Sequence, residues 1–487
     1  MKRTLAILLA AVLAASVCML TACNVDFNIS GSKPEAEGHG SIVCYPHTTS
    51  PNFIDGYAGC YFDDYTFVFA SVYDENTAAS EIYREDDSAS LVSKAMEERN
   101  KIIKEMYSAN IAEENIAASI LPSEFAVEQL SKYDIIVHER YGHKSYSNNY
   151  INLCELDIDL FQPWWDQGYV EENTIDGILY ATTGSFSMQA FDLTHALIFN
   201  KSVKNSIPAI QDMDFYDLVE DGYWTIDTFL SIVQKACSAN QGTEGLALSP
   251  SSLRQFYFGM GERYLEKTDK KDGTSEFSAG FDKNNTDASQ LIWELVQAAG
   301  DNSGISSLQT FEKFNKNELL FTETALVSLE DYIDADFGIL PFPKMSTEQK
   351  NYISFAERGI LTLSIPKTCR DLQMVSDFIT IFAYYSHYTV YEAYVESLSA
   401  LTSNKEDAET LKTLISGRTY DLAFSYKFAE ADGCFLSCAL NGGDIAEMLS
   451  GKPSEDILAA AREHADFLAN IRREQEKERE EQKESDF

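Results

Sequence analysis

Apolar and polar positions beyond residue 60 follow first the period of a strand and then that of a helix. The stretch YTFVFASVY (Tyr65 to Tyr73) is rich in aromatic and β-branched residues, which are typical of a strand. Ser88 to Asn110 has the apolar spacing of an amphipathic helix, and a second strand is predicted at Tyr133 to Arg140. Strand, helix and strand in this order predict a βαβ unit with parallel strands, and therefore an α/β fold.

The same patterns predict further elements along the rest of the chain. Thr225 stands as an N-cap before a helical pattern that ends near Asn240, and Asp227 in its first turn suits the helix dipole. The remaining predictions are a strand within Gly177 to Met188, a helix at Ala288 to Gly300, strands at Asp336 to Lys344 and Gly359 to Lys367, and a long helix from Leu372 to Val395.

The chain begins with a positive residue pair and an apolar run from Leu5 to Leu20, which is the length of a signal-peptide core and shorter than a membrane span. The run ends in LTAC, which resembles the lipobox of bacterial lipoproteins. Residues 1–22 are therefore predicted to be a lipoprotein signal peptide, and Cys23 to carry the lipid anchor. The alternative is an ordinary secreted precursor in which Cys23 has no role.

Two charged or polar segments flank the predicted globular part. Residues 23–40 have the Gly, Ser, Pro and Glu content of a flexible tether, and residues 472–487 form a charged tail, predicted as a solvated helix or an interaction tail. The residues between them are too many for one core, so two lobes are expected. No other stretch has the apolar length of a membrane span.

The net charge and the cysteine and histidine positions bear on three questions, which are nucleic-acid binding, disulfide formation and metal binding. The formal net charge of −39 repels phosphate backbones, so nucleic-acid binding is not expected. Cys44 with Cys60, or Cys434 with Cys438, could pair, but free thiols fit the scattered cysteines equally well. His39, Cys44 and His47 match no zinc spacing, and no metal or other cofactor is predicted.

The sequence also lacks the motifs of common enzymes. It contains no HExxH helix, no GxSxG elbow, no phosphate-binding GxxxxGK loop and no dinucleotide fingerprint. It is instead rich in rings, with 26 Tyr, 29 Phe and 4 Trp, whose apolar faces suit either a core or the C–H face of a sugar. In PWWD we expect one of Trp164 and Trp165 to lie in the core.

Several stretches between Glu97 and Tyr426 resemble, in their order, the extracellular solute-binding proteins of bacterial ABC importers, of the sugar-type family 1. These stretches are MEERNKIIKEMYSANI, YDIIV, PWWD, ILYATTGSFS, IFNKSV, DFYDLVEDGYWTIDTF, DFGILPFPK, SIPKTCRDLQ and KEDAETLKTLISGRTYDLAFSY. The resemblance implies a two-lobe fold of the periplasmic-binding-protein kind (type II), in which hinge strands join the lobes and the lobes close on a solute. It implies lobe one at 41–186 and 358–397, and lobe two at 187–357 and 398–471.

The same topology implies a solute site in the cleft between the lobes, at strand ends and hinge aromatics. Glu139 and Arg358 would bridge hydroxyls, and the aromatic rings would stack. The candidates are Tyr73, Glu139, Tyr141 and Arg358 from lobe one, and Phe186, Trp224 and Tyr332 from the hinge and lobe two.

These inferences predict a receptor, lipid-anchored on the outer face of the membrane, that captures a carbohydrate and delivers it to an ABC transporter permease without catalysis. We expect it to act as a monomer. The alternatives are a receptor for a peptide or a cationic solute, a surface-anchored hydrolase, or a receptor that feeds a sensor kinase.

Overall fold

The computed structural model describes residues 53–73, 82, 90–117, 130–139, 149–239, 243–280, 285–302, 307–357, 359–402 and 404–485. The strands are β1 Thr66–Tyr73, β2 Asn110–Ala117, β3 Ile135–Glu139, β4 His195–Asn200, β5 Glu244–Leu246, β6 Leu265–Asp269, β7 Ser275–Ala279, β8 Leu319–Ala325, β9 Phe337–Leu340, β10 Ser354–Phe355, β11 Leu361–Ser364 and β12 Arg418–Thr419.

The α-helices of this part of the chain are α1 Leu91–Tyr107, α2 Gln167–Asn173, α3 Met188–Asp192, α4 Lys201–Ser206, α5 Phe215–Glu220, α6 Ile226–Ser238, α7 Pro250–Gly259, α8 Asn285–Ala299, α9 Ser307–Asn315, α10 Leu372–Tyr385, α11 Glu392–Ser399, α12 Glu406–Ser416, α13 Leu422–Ser425, α14 Ala431–Asn441, α15 Ile445–Leu449 and α16 Lys452–Ser485. Short 3₁₀ turns lie at Phe53–Tyr57, Leu153–Glu155, Gly300–Asn302, Leu326–Tyr332 and Phe428–Glu430, and a π-helical turn, Ser386–Tyr391, connects α10 to α11.

Lobe one is built on a four-stranded sheet in the order β11–β3–β1–β2. Strand β1 pairs in parallel with both β2 and β3, whereas β11 runs antiparallel to β3. The predicted parallel pairing of the strands at Tyr65 to Tyr73 and Tyr133 to Arg140 is confirmed as β1 and β3, but α1 connects β1 to β2, which comes between them in the chain. Ser90 caps α1, because its side chain accepts a hydrogen bond from the Ser93 N–H.

Successive side chains of β1 point to opposite faces of this sheet, as the pleat requires. Phe67 and Phe69 pack on one face against α10, where the Phe67 and Phe378 rings stack with centroids 3.6 Å apart. Ala70 and Val72 lie in the cluster on the other face, with residues of α16. Both faces of the sheet are therefore covered, as is usual for parallel strands.

Lobe two is built on a second four-stranded sheet in the order β5–β8–β4–β9. Strands β5 and β8 are parallel, and β4 is antiparallel to both β8 and β9. The predicted helix at α6 is confirmed, with the Thr225 side chain accepting from the Thr228 N–H. Trp224 beside it is fully buried, and its indole Nε1 donates to the Pro341 carbonyl at 2.9 Å.

Other predictions have mixed outcomes. The strand expected within Gly177 to Met188 is wrong. Thr182 forms a single bridge with Leu363, and the Thr183 hydroxyl donates to the Leu361 carbonyl, so this segment follows β11 without a continuous ladder. The core tryptophan expected in PWWD is confirmed, and the second, whose place the sequence left open, is buried as well, since Trp164 and Trp165 are 0% and 2% exposed.

Residues 472–485 of the tail are helical, as predicted, but Gln475 within them is buried rather than solvated. Among the described residues, no helix has the length and hydropathy needed to cross a bilayer. The cysteines in these residues, Cys60 and the Cys434 and Cys438 pair included, are free thiols. The signal peptide, Cys23, the tether and Cys44 lie outside the described residues.

Candidate interlobe site

The carboxyl ends of β5 and β8 lie at the same edge of the lobe-two sheet, because these two strands are parallel. Helix α7 begins just after β5 at this edge. Its N-cap, Ser249, forms a capping box with Ser252, and Pro250 occupies the first turn, where no backbone donor is needed. The sequence SPSS therefore fixes where α7 starts.

Helix α7 holds the hinge strand β10 in place. The buried side chain of Gln255 donates to the Phe355 carbonyl at 2.8 Å and accepts from the Phe355 N–H at 3.1 Å. The rings of Phe258 and Phe355 stack, with centroids 3.7 Å apart. These contacts position Glu357, two residues further along the chain, beside α7.

Four polar side chains meet at this point, and we call them the interlobe cluster: Ser251, Arg254, Glu357 and Asp432. Glu357 accepts a hydrogen bond from the Ser251 hydroxyl at 2.6 Å and another from Arg254 Nη2 at 3.0 Å. Arg254 Nη1 lies 3.7 Å from an Asp432 oxygen. The side chains of Arg254, Glu357 and Asp432 are 12%, 23% and 20% exposed, so each keeps part of its surface in contact with solvent.

The four members of the cluster belong to lobe two, and the chain that follows Glu357 leads directly to lobe one. Leu361, four residues beyond Glu357, pairs with Glu139 at the carboxyl end of β3 in lobe one. The connection that contains Glu357 thus runs from the carboxyl edge of the lobe-two sheet to that of the lobe-one sheet. Solutes of α/β proteins bind at such edges, outside the carboxyl ends of the strands.

A buried ion pair between His195 and Glu323 lies behind the cluster. The hydroxyls of Ser249 and Ser252 each donate to Glu323 Oε2 at 3.0 Å. Burial opposes ionisation of Glu323, but His195 and the two hydroxyls together hold its pKa below the usual range. These bonds connect β4, β8 and the start of α7, and they thereby fix the position of the helix that carries Ser251 and Arg254.

The cluster has the chemistry of a hydrogen-bonding site. Its two carboxylates accept from hydroxyl or ammonium groups, and its guanidinium donates in a planar fork. Among the described residues, no group of His, Cys, Asp and Glu side chains is arranged to hold a metal ion. The arrangement therefore suits recognition of a polar solute.

Three of the predicted site residues lie in the core. Phe186 and Trp224 have no exposed surface, and Tyr332 is 6% exposed, with its ring against Phe311 and Phe314. A ring without exposed surface has no face to offer a sugar in this arrangement of the lobes. The structure therefore does not bring these three residues to the interlobe cluster.

The backbone of the other candidates follows the predicted topology where it is described. Tyr73 and Glu139 end the neighbouring parallel strands β1 and β3, but their side chains lie outside the described residues, as do Tyr141 and Arg358. Glu357, the residue before the predicted Arg358, is a member of the cluster.

Sequence reasoning missed all four members of the cluster, Ser251, Arg254, Glu357 and Asp432. Strand β5 is only three residues long, so the signal that would have marked the loop after it as a strand end is weak. The SPSS capping box was the available signal, since it locates a helix start directly after that strand.

Comparison with known proteins agrees with this architecture. No protein-family model and no curated protein matches the sequence. Solved structures do match. The galacto-N-biose-/lacto-N-biose I-binding protein of a Bifidobacterium longum ABC transporter, in complex with lacto-N-biose, is 11% identical and aligns over 85% of this chain and 98% of its own, with a TM-score of 0.50.

Two further structures give the same result. The sugar-binding protein MalE from Xanthomonas citri is 12% identical over 84% of this chain and 99% of its own, with a TM-score of 0.50. A cyclo/maltodextrin-binding protein complexed with maltotetraose is 12% identical over 81% and 97%, also with a TM-score of 0.50. The chain has the two-lobe fold of these binding proteins. At such identities the likeness establishes the fold.

Proposed function

We propose that this protein is an extracellular receptor that captures a carbohydrate between its lobes and delivers it to an ABC importer, without catalysing a reaction. The observation that carries the proposal is the interlobe cluster. Its charged groups are partly exposed, and Glu357 among them lies on the connection between the carboxyl edges of the two sheets. The two-lobe fold shared with sugar-binding proteins supports it.

Sugar recognition fits the groups of the cluster. A pyranose hydroxyl can donate to one carboxylate oxygen while a neighbouring hydroxyl accepts from a guanidinium, and such charge-assisted bonds are stronger than neutral ones. Closure of the lobes over the solute would exclude water and strengthen these bonds further. The solute then selects the closed state because it contacts both lobes only there.

A cationic solute is the second candidate. The cluster has two carboxylates, Glu357 and Asp432, for one guanidinium, Arg254, and the whole chain has a formal charge of −39. A polyamine or a basic peptide would be attracted by this excess of negative charge.

A thermal-shift screen separates these candidates. The soluble form that starts at Asn24 would be tested against oligosaccharides, peptides and polyamines, because a ligand that binds only the folded state raises its melting temperature. We expect oligosaccharides to stabilise the protein and to be recovered unchanged by mass spectrometry. Stabilisation by polyamines alone would favour the second candidate, and hydrolysis of a bound glycoside would show an enzyme.

We also propose that the receptor is held at the outer face of the membrane by lipid on Cys23. The support is the LTAC motif after an export signal. Acyl chains bind membranes with about 0.8 kcal/mol per buried methylene, and stable anchoring takes two or more signals. A diacylated cysteine meets that requirement.

A further inference from the structure

Helix α16 is the longest helix of the described residues, and it contacts both lobes. It is continuous from Lys452 to Ser485, 34 residues, which corresponds to about 50 Å at 1.5 Å per residue. A single rigid helix that touches two moving bodies limits how far one can rotate against the other.

The first half of α16 packs on elements that follow β12. Ile457 and Ala461 are 0% and 1% exposed and belong to the same buried cluster as Phe428 and Phe435. The His464 ring lies against the Tyr426 ring, with centroids 4.3 Å apart. This half is therefore fixed by apolar burial.

Beyond Ile471, which is buried in the same cluster as Ala70 and Val72 of lobe one, α16 contacts lobe one through polar groups. Gln475 is buried, and its Nε2 donates to the Tyr150 carbonyl at 2.9 Å. Arg479 Nη1 lies 2.8 Å from Glu155 Oε2, and Arg472 Nε lies 3.6 Å from the other oxygen of the same carboxylate. In addition, Lys367, just beyond β11, lies 3.8 Å from Glu478. These bonds are partly exposed and individually weak, unlike the apolar contacts of the first half.

The surface between α16 and lobe one is incompletely filled. A cavity of about 510 Å³, with the part open to solvent included, lies where Tyr426, His464 and Leu468 approach the lobe-one sheet. Its lobe-one wall includes Tyr180, whose buried hydroxyl has no hydrogen-bond partner among the described residues. Because part of this space is open to solvent, it is a groove between α16 and lobe one rather than a void in a packed core.

We infer that the second half of α16 is a latch that sets the resting angle between the lobes. The latch consists of Arg472, Gln475, Glu478 and Arg479. In lobe one these residues contact Tyr150, Glu155 and Lys367. When the lobes rotate, the polar bonds of the latch break and re-form over the cavity, while the contacts of the first half with Phe428 and Phe435 persist. The stability of the latch thereby biases the population of open and closed states.

Distance measurements between the lobes test this inference without any ligand. Spin labels would be placed on Lys101→Cys, which is exposed on α1, and on the native, exposed Cys237 of α6, in the full chain in detergent with the other accessible cysteines replaced by serine. We expect the pair Gln475→Ala and Arg479→Ala to shift or broaden the distribution of distances between the labels.

Three further variants complete the test. Arg473→Ala is the matched control, since the Arg473 side chain bonds within α16, and it should leave the distribution unchanged. Arg479→Lys should keep the distances of the wild type, because a lysine at this position retains the positive charge of the ion pair with Glu155. Glu155→Gln should reproduce the shift from the lobe-one side without any change in α16. An unchanged distribution in folded Glu155→Gln and in the double variant would overturn the latch, whatever solute the cleft binds.

Discussion

Arg418 and Asp166 form a buried ion pair beside the two-stranded β10–β12 sheet, with Arg418 Nη2 2.6 Å from Asp166 Oδ2 and both side chains at most 3% exposed. The Tyr420 hydroxyl donates to the same carboxylate oxygen, and Arg418 Nη1 donates to the Ala190 carbonyl at 3.0 Å. Asp166 also caps α2 through the Tyr169 N–H. The pair therefore ties β12, α2 and α3 together, and its hydrogen bonds offset the cost of desolvating two charges.

The first prediction concerns this pair. Arg418→Met leaves the Asp166 carboxylate buried without its cation, so we expect the free energy of unfolding to fall by about 3–5 kcal/mol. Urea unfolding followed by circular dichroism measures the loss. The double variant with Asp166→Asn should recover part of it, because the uncompensated charge is then gone. A loss below about 1 kcal/mol would place the pair among weak surface bridges.

The second prediction concerns pH, through Glu172 on α2. Burial raises its pKa to about 8, the nearby Asp421 charge adds to the effect, and Lys267 and Arg263 oppose it. In the unfolded chain the same carboxyl titrates near pH 4.3. Between these values the folded state binds more protons, so the free energy of unfolding should fall as pH rises from about 4.5 to about 8.

Urea unfolding at a series of pH values checks the second prediction. Glu172→Gln imitates the protonated carboxyl, so it should flatten the decline and stabilise the protein at pH values above the pKa. The neighbouring, exposed Glu171 supplies the control, since Glu171→Gln should leave the slope as it is. An equal slope in the wild type and in Glu172→Gln would assign the pH dependence to other groups.

The elements of the fold were predictable where the hydrophobic periodicity of the sequence was strong. Strand β2 is an element in which this periodicity is weak. Strand β1 alternates large apolar residues and matched its prediction within one residue. Strand β2 reads NIAEENIA, and its acidic residues hide it from a hydrophobic pattern. It lies at the edge of the sheet, where Glu113 can accept from the Ser71 hydroxyl at 2.6 Å. Edge strands tolerate such polar residues because one side is unpaired.

The candidate site was predictable only in outline. The rule that solutes bind at carboxyl ends of strands pointed to the edge at which the interlobe cluster lies, and Glu357 adjoins the predicted Arg358. Residue type misled at Phe186 and Trp224, because a large ring is equally suited to a core and to a sugar face. Burial separates these two uses, and burial follows from contacts between residues distant in sequence.

The third prediction concerns the membrane anchor. Cys23→Ser removes the thiol to which lipid would be attached, so we expect the protein to move from the membrane pellet to the soluble fraction after cell lysis. Immunoblots of both fractions measure the change. Cys237→Ser is the control, since that exposed cysteine lies on a folded helix and should not affect fractionation. Retention of Cys23→Ser in the membrane would argue for another attachment.

The fourth prediction tests the interlobe cluster with its own carboxylate. Glu357→Gln preserves the size of the side chain but removes the charge that Arg254 and Ser251 contact. Hydrogen bonds to charged groups contribute about 1.5–3 kcal/mol, so affinity for the best oligosaccharide of the screen should fall about 10-fold or more. Isothermal titration calorimetry measures it, and the exposed Glu348→Gln should bind normally.

A second substitution in the cluster, which removes a neutral group, provides a smaller loss of affinity for comparison with Glu357→Gln. Ser251→Ala removes one neutral donor, so its effect should stay near about 1 kcal/mol, or roughly fivefold in affinity. The order of effects, with Glu357→Gln above Ser251→Ala and both above the control, follows from the charges alone. If Glu357→Gln folds normally and binds as tightly as the wild type, the solute does not contact Glu357, and the site must be sought elsewhere along the two carboxyl edges.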